Sequence, residues 1–254
     1  MTGCLAFLLG FLLAALPTGL QEFQAGLNAQ YHKSYEEAVE HYTQAIDSGE
    51  LSRETLAIAY NNRADVWLAL GHYYRAISDY NRAIELHPQP DYFNRRGIVE
   101  AKLGQYEKAI KDYSESIRRN RSNAYVYNNR GWAFYKKGNY LLAIKDFDEA
   151  LRLKPNYALA FDNRGWVHFR KGEREEALSD LSRAIQLEPN NPEFYNDRGI
   201  VLTDLGRFDE AINDFNKALN LKPHFTEAEK NKEIALKGKK GIKLEALHSL
   251  IYWK

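Results

Sequence analysis

The chain has 254 residues, 44% of them hydrophobic and 27% charged, which is apolar material enough for one or two packed domains and argues against global disorder. Thirty-five Lys and Arg against 34 Asp and Glu leave a formal charge of +1, so there is no basic domain to release counterions from a nucleic acid, and dedicated DNA or RNA binding is disfavoured. The single cysteine, Cys4, leaves the rest of the chain without disulfide or thiolate chemistry.

Residues 5–16, LAFLLGFLLAAL, form an uncharged apolar run that is short for a bilayer span and suits a secretory h-region. Residues 1–18 are therefore read as a signal peptide, with cleavage expected between about Ala15 and Gln21. No Lys or Arg precedes the run and the small-residue signal at Ala14, Ala15 and Gly19 is imperfect, so an uncleaved anchor and an apolar capping helix stay open.

From there to residue 225 the chain repeats itself. A small residue closing an Asn-Arg-Gly-like triplet recurs at Ala64, Gly97, Gly131, Gly165 and Gly199, at spacings of 33 or 34, and Gly26 begins the series. Placing this residue at position 8 gives units at 19–56, 57–89, 90–123, 124–157, 158–191 and 192–225, the first with about four extra residues near Ser48 to Glu54. Glycine at position 15 (Gly71, Gly104, Gly138, Gly172, Gly206) predicts a left-handed end to a first helix. Alanine at position 20 in every unit, alanine or serine at position 27 and a ring at position 24 (Tyr42, Tyr80, Tyr113, Phe147, Phe215, with Leu181 the exception) predict large side chains set against small ones. Pro88, Pro155, Pro189 and Pro223 at position 32 predict the stop of a second helix.

These positions and this spacing resemble the tetratricopeptide repeat over residues 19–225. The resemblance implies an all-α, right-handed superhelical solenoid of helix pairs whose first helices line a concave groove for a peptide or partner helix. Arg121 in place of proline, Arg174 in place of an aromatic at position 17, and Lys33 in place of the first turn glycine depart from the pattern. Residues 226–254 follow as a polar capping helix to about Lys237 and a basic, amphipathic tail from Ile242 to Trp253, for which docking on the solenoid, a membrane surface and a partner are all open.

Charge appears where helical periodicity predicts core. Position 7 lies within about 60° of positions 4 and 11, and position 23 within about 60° of 20 and 27. Yet position 7 is Arg63, Arg96, Arg130, Arg164 and Arg198, and position 23 is Asp79, Asp112, Asp146, Asp180 and Asp214. In the first unit both are missing together, with Ala25 and His41 in their places. The pattern predicts five structural Arg–Asp pairs bridging the helices of units two to six, acting on packing specificity more than on net stability.

On the opposite face of the first helix, positions 5 and 6 carry an asparagine row: Asn61, Asn62, Asn94, Asn128, Asn129, Asn163 and Asn196, with Asp162, Asp197 and Arg95 interrupting it. Amides can hydrogen-bond a peptide backbone whatever its sequence. Asn62, Asn129 and Asn163 resemble the asparagine-lined lumen of O-linked N-acetylglucosamine transferases, and Arg95 and Asp197 depart from it. Tyr125, Trp132, Tyr135, Trp166 and Phe169 are expected on this same solvent face as an apolar recognition patch. Cover by the C-terminal segment or by a second subunit is the alternative. A clamp for C-terminal carboxylates is not expected, because Arg95 alone supplies a cation at positions 2, 5 or 6; with Lys102 it favours an acidic stretch at one end of the ligand.

The seven histidines form no i, i+3 or i, i+4 pair, and no phosphate loop, dinucleotide fingerprint or nucleophile elbow is present, so no cofactor, metal or catalysis is expected. The expected role is a scaffold or adaptor for another protein or extended peptide, in a periplasmic or secreted location of a bacterial-type envelope. Membrane contact is open only through the N-terminal segment or the basic tail. A self-assembling solenoid and a regulatory subunit of an enzyme are the alternatives, and a membrane-anchored or cytoplasmic location stays open.

Overall fold

The computed structural model describes residues 17–241; the expectations for Cys4, for residues 5–16 and for residues 242–253 lie outside the described residues. Among the described residues the chain is all-α, with thirteen helices and no strand. They are α1 (Thr18–Tyr31), α2 (Tyr35–Asp47), α3 (Arg53–Ala69), α4 (Tyr73–Leu86), α5 (Pro90–Lys102), α6 (Tyr106–Arg119), α7 (Ala124–Lys136), α8 (Tyr140–Leu153), α9 (Ala158–Lys171), α10 (Arg174–Leu187), α11 (Pro192–Asp204), α12 (Phe208–Leu221) and α13 (Thr226–Lys239). Two compact units divide them, residues 1–121 with α1 to α6 and residues 122–254 with α7 to α13. Each unit holds three helical hairpins, and the second adds α13.

The hairpin follows from local chemistry. Gly71, Gly104, Gly138, Gly172 and Gly206 all take φ between +72° and +87°, reversing the chain so that the next helix opens two residues later. In the first hairpin Lys33 takes that role at φ +60°, a conformation that a residue with a Cβ adopts only at a cost. Close approach then depends on position 8: a Cβ built on Gly199 would lie 2.6 Å from the Phe215 ring, and one on Gly131 2.9 Å from Phe147. The alanines at position 20 and the large side chains at position 24 are buried throughout. Proline turns out to be dispensable as a stop. With Arg121 where proline is expected, α6 still ends at Arg119, and Asn120 leaves the helix in extended backbone.

The extra residues of the first unit have a task. Ser52 caps α3, its Oγ accepting from the Thr55 amide at 3.2 Å, and Glu50 accepts from the Gly19 amide at 2.7 Å, a carboxylate set against the positive end of α1. Because α1 opens at Thr18, cleavage as late as Gln21 would cut its first turn.

Each of the five arginines at position 7 forks onto its own aspartate. Nε and Nη2 of Arg63, Arg96, Arg130, Arg164 and Arg198 donate to the two oxygens of Asp79, Asp112, Asp146, Asp180 and Asp214 at 2.6–2.9 Å. The carboxylates are buried and the arginine side chains partly so. Sequence reading missed the third arm. Nη1 of Arg63, Arg96, Arg164 and Arg198 reaches back to the preceding hairpin, to Thr43, Asn81, Asp148 and Ser182 at 2.6–3.2 Å, all at position 25. One side chain therefore sets both the angle within a hairpin and the register to its predecessor. Burial opposes the charge of Arg164, but Asp180 and Asp148 together hold its pKa above the ordinary value. In the first hairpin a smaller pair stands in, His41 Nδ1 lying 2.6 Å from Glu22.

Candidate partner-binding face

In the second unit the first helices α7, α9 and α11 stand side by side, and their lateral seam decides which candidate groove residues remain open. Position 12 of one hairpin meets position 9 of the next: the Trp166 indole N–H donates to the Tyr135 hydroxyl at 2.8 Å, and Trp166 stacks tilted on Phe169 at 5.5 Å. Trp166 is 1% exposed, and Tyr135 and Phe169 are buried with it in the main apolar cluster of this unit. The expectation that all five rings face solvent is thus corrected for these three. Helical periodicity allowed each first helix one buried stripe, toward its own second helix, whereas a stacked repeat buries its flanks as well.

The asparagine row is corrected in the same way. Asn163 Nδ2 donates to Asn128 Oδ1 at 2.9 Å, and Asn231 of α13 repeats the bond to Asn196 one hairpin on, also at 2.9 Å. All four amides are buried, as are Asp162 and Asp197. They tie first helix to first helix across the seam, so they support the face from beneath. Asn129 is half-buried. In the first unit the counterpart of this bond is missing: Asn61 Nδ2 donates to its neighbour Asn62, and Asn61 Oδ1 is buried without a hydrogen-bond partner.

Arg95 belongs to the first unit, where Nη1 donates to Asp65 at 2.6 Å while the Tyr80 hydroxyl donates to the other oxygen of that carboxylate at 2.5 Å. Burial raises the Asp65 pKa against the pull of Arg95. One arm of Arg95 is thus paired with Asp65, while 45% of the side chain stays exposed.

What stays open on the second unit is smaller and sharper. Tyr125 is 51% exposed; its hydroxyl accepts from Lys154 Nζ at 2.6 Å and its ring packs edge-on against Tyr157 at 5.1 Å. Leu159, at the same position of the next hairpin, is 44% exposed. Trp132 is half-buried, 4.9 Å from the Tyr135 ring and with Lys136 Nζ 5.0 Å from its own. Leu159 was missed by sequence reading. The signal was there, since position 2 carries Leu20, Ile58, Tyr125 and Leu159, where the third and sixth units have Asp91 and Glu193. A cleft of about 530 Å³ formed by α10, α11 and α12 is lined in part by Arg198, Asp214, Arg207 and Glu210, in which Arg198 pairs with Asp214 and Arg207 with Glu210.

Among the described residues no group of three or more His, Cys, Asp or Glu is placed to hold a metal ion, and no helix is long and apolar enough to cross a membrane.

Family models described as tetratricopeptide repeat match residues 57–90, 94–158 and 164–235. No curated protein matches the chain. Among solved structures it resembles a chain of the APC/C hetero-tetramer Cut9–Hcn1, at 19% identity and a TM-score of 0.71, covering 86% of this chain and 43% of that one. It thus spans less than half the length of that relative. TTC0263, a thermophilic TPR protein of Thermus thermophilus, is similar at 26% identity and a TM-score of 0.61, covering 71% of this chain and 98% of that one. YrrB, described as a TPR protein with an unusual peptide-binding site, matches at 22% identity and a TM-score of 0.58, over 77% of this chain and 99% of that one.

Proposed function

Since the chain belongs to the tetratricopeptide-repeat family, whose members are generally non-catalytic scaffolds that bind proteins or peptides, we propose that it is a scaffold or adaptor holding a segment of another protein against the first-helix face of its second unit. One observation carries this reading: Tyr125 and Leu159 lie on that face as large side chains that helix packing leaves exposed, with the half-buried Trp132 beside them. Rings and branched side chains there supply desolvation energy, and Asn129 supplies an amide for the ligand backbone. The buried bonds Asn128–Asn163 and Tyr135–Trp166 hold the surface rigid, which lowers the entropy lost on binding. YrrB, similar in fold and described as peptide-binding, lends support. The apolar run at residues 5–16 supports, within the same proposal, export to a bacterial-type envelope.

A photo-crosslinking residue at 159 tests the site. A partner captured from position 159, and not from position 183 on the solvent side of α10, is the expected result. Leu159→Glu then weakens that partner by about 2 kcal/mol, the usual hot-spot scale, with an unchanged melting temperature. Equal capture from both positions, or affinity indifferent to Leu159→Glu, overturns the assignment.

A further inference from the structure

We propose that the uncharged outer face of α1 is a self-association surface through which two copies of this chain pair head to head. Gln24, Ala25, Leu27, Asn28 and Tyr31 line an open cleft of about 600 Å³ on this face, and Tyr31 is 83% exposed. The single charged residue of α1 is Glu22, and its carboxylate is turned to His41 in the same hairpin. Every other first helix carries at least two charges, and α13 alone has three Glu and four Lys. In a chain that is 27% charged, a helix face with none is the mark of a surface meant to be covered.

The later hairpins show what this face does elsewhere. Its position 7 is the arginine that reaches back to a preceding second helix, as Arg63 does to Thr43 at 2.9 Å. In α1 that position is Ala25, and among the described residues no helix packs there. A methyl group in place of a guanidinium removes both the charge and the bulk that would keep another helix away.

The occupant is the same face of a second copy. Carboxamides such as Gln24 and Asn28 carry both a donor and an acceptor, so the face is self-complementary about a twofold axis and sets no like charges together. Pairing against α13 is disfavoured, because its exposed Glu229, Glu233 and Lys237 would lose water against a surface offering no counter-charge. A helix of 14 residues, about 21 Å long, covers less than the roughly 800 Å² per partner of a standard interface. The association is therefore reversible and concentration-dependent.

Sedimentation velocity on the full chain from about 1 to 200 µM tests this, spanning the range in which weak dimers form. The expected mass rises from 29.4 kDa toward twice that value. Ala25→Glu and Ala25→Lys each stay monomeric with an unchanged helical melt, and an equimolar mixture of the two dimerises again. Tyr31→Ser, at a position that is 83% exposed and outside the core, weakens the dimer at least about fivefold and serves if the Ala25 variants fail to fold. A monomer at every concentration, or a dimer indifferent to these changes, overturns the proposal. So does slow amide exchange in α1 of a monomeric wild type, which assigns the face to residues 1–16 of the same chain, or vesicle cosedimentation that Ala25→Glu abolishes.

Discussion

Single residues in this fold are decided by whether a buried charge has a partner. Arg164 bridges Asp180 and Asp148, so Arg164→Ala strips the buried Asp180 carboxylate of both its guanidinium hydrogen bonds and cuts a link to the preceding hairpin. The expected loss is about 3 kcal/mol, several times that of an exposed pair. Asp180→Ala added to it costs less than it does alone, and a double-mutant cycle by urea denaturation measures that coupling; a value near zero would mean that water already screens the pair. Glu100 is the opposite case. Its carboxylate is 7% exposed, Oε2 has no hydrogen-bond partner, and Asp112 stands beside it where His168 faces Asp180 two hairpins later. Burial, with the Asp112 charge next and only partial relief from Arg96 and Lys108, pushes the Glu100 pKa up to about 7. A folded pKa above the unfolded one means that the folded state holds the proton more tightly. The contribution of Glu100 to stability is therefore fully present below about pH 4.5 and is lost as pH rises through about 7. Glu100→Gln matches wild type near about pH 4 and exceeds it by on the order of 3 kcal/mol at pH 8 in urea titrations. A difference that does not change with pH would show the carboxyl to be solvated.

At the level of the helical hairpin, the turn governs. Five hairpins reverse on glycine and one on Lys33, all with positive φ, so Lys33→Gly relieves strain at the only such residue with a Cβ among those described. It raises stability by up to about 1 kcal/mol, because the αL penalty exceeds the extra entropy that glycine loses on folding. Thermal denaturation checks it, and a lower melting temperature would show that the Lys33 side chain makes contacts worth more than the strain. Arg174 shows a departure from the repeat pattern finding its own use. It opens α10, and its Nε donates to the buried carboxylate of Asp204 in the next hairpin, a polar link between hairpins at a position where the other units carry a ring.

For the whole chain, the proposal of export has a direct check: N-terminal sequencing of the native protein is expected to begin between about Ala15 and Thr18, ahead of the first turn of α1. An intact Met1 on soluble cytoplasmic protein would end it. The polar helix α13 follows α12 as a capping element, with Ile234 and Ala235 buried and Lys and Glu outward, as a stack of repeats needs at a terminus.

The amino-acid sequence by itself determined the hairpins, their turns, the small-against-large packing of positions 8, 20 and 24, and the Arg–Asp pairing, because each rests on periodicity within one helix pair. The tertiary structure alone decided what happens between pairs. It turned Trp166, Tyr135, Phe169, Asn128 and Asn163 from groove into seam, matched Arg95 to Asp65, and gave the position 7 arginines their reach to position 25. A helical wheel records direction from one axis, whereas burial of a helix flank depends on a second axis beside it, set by residues about 35 positions away.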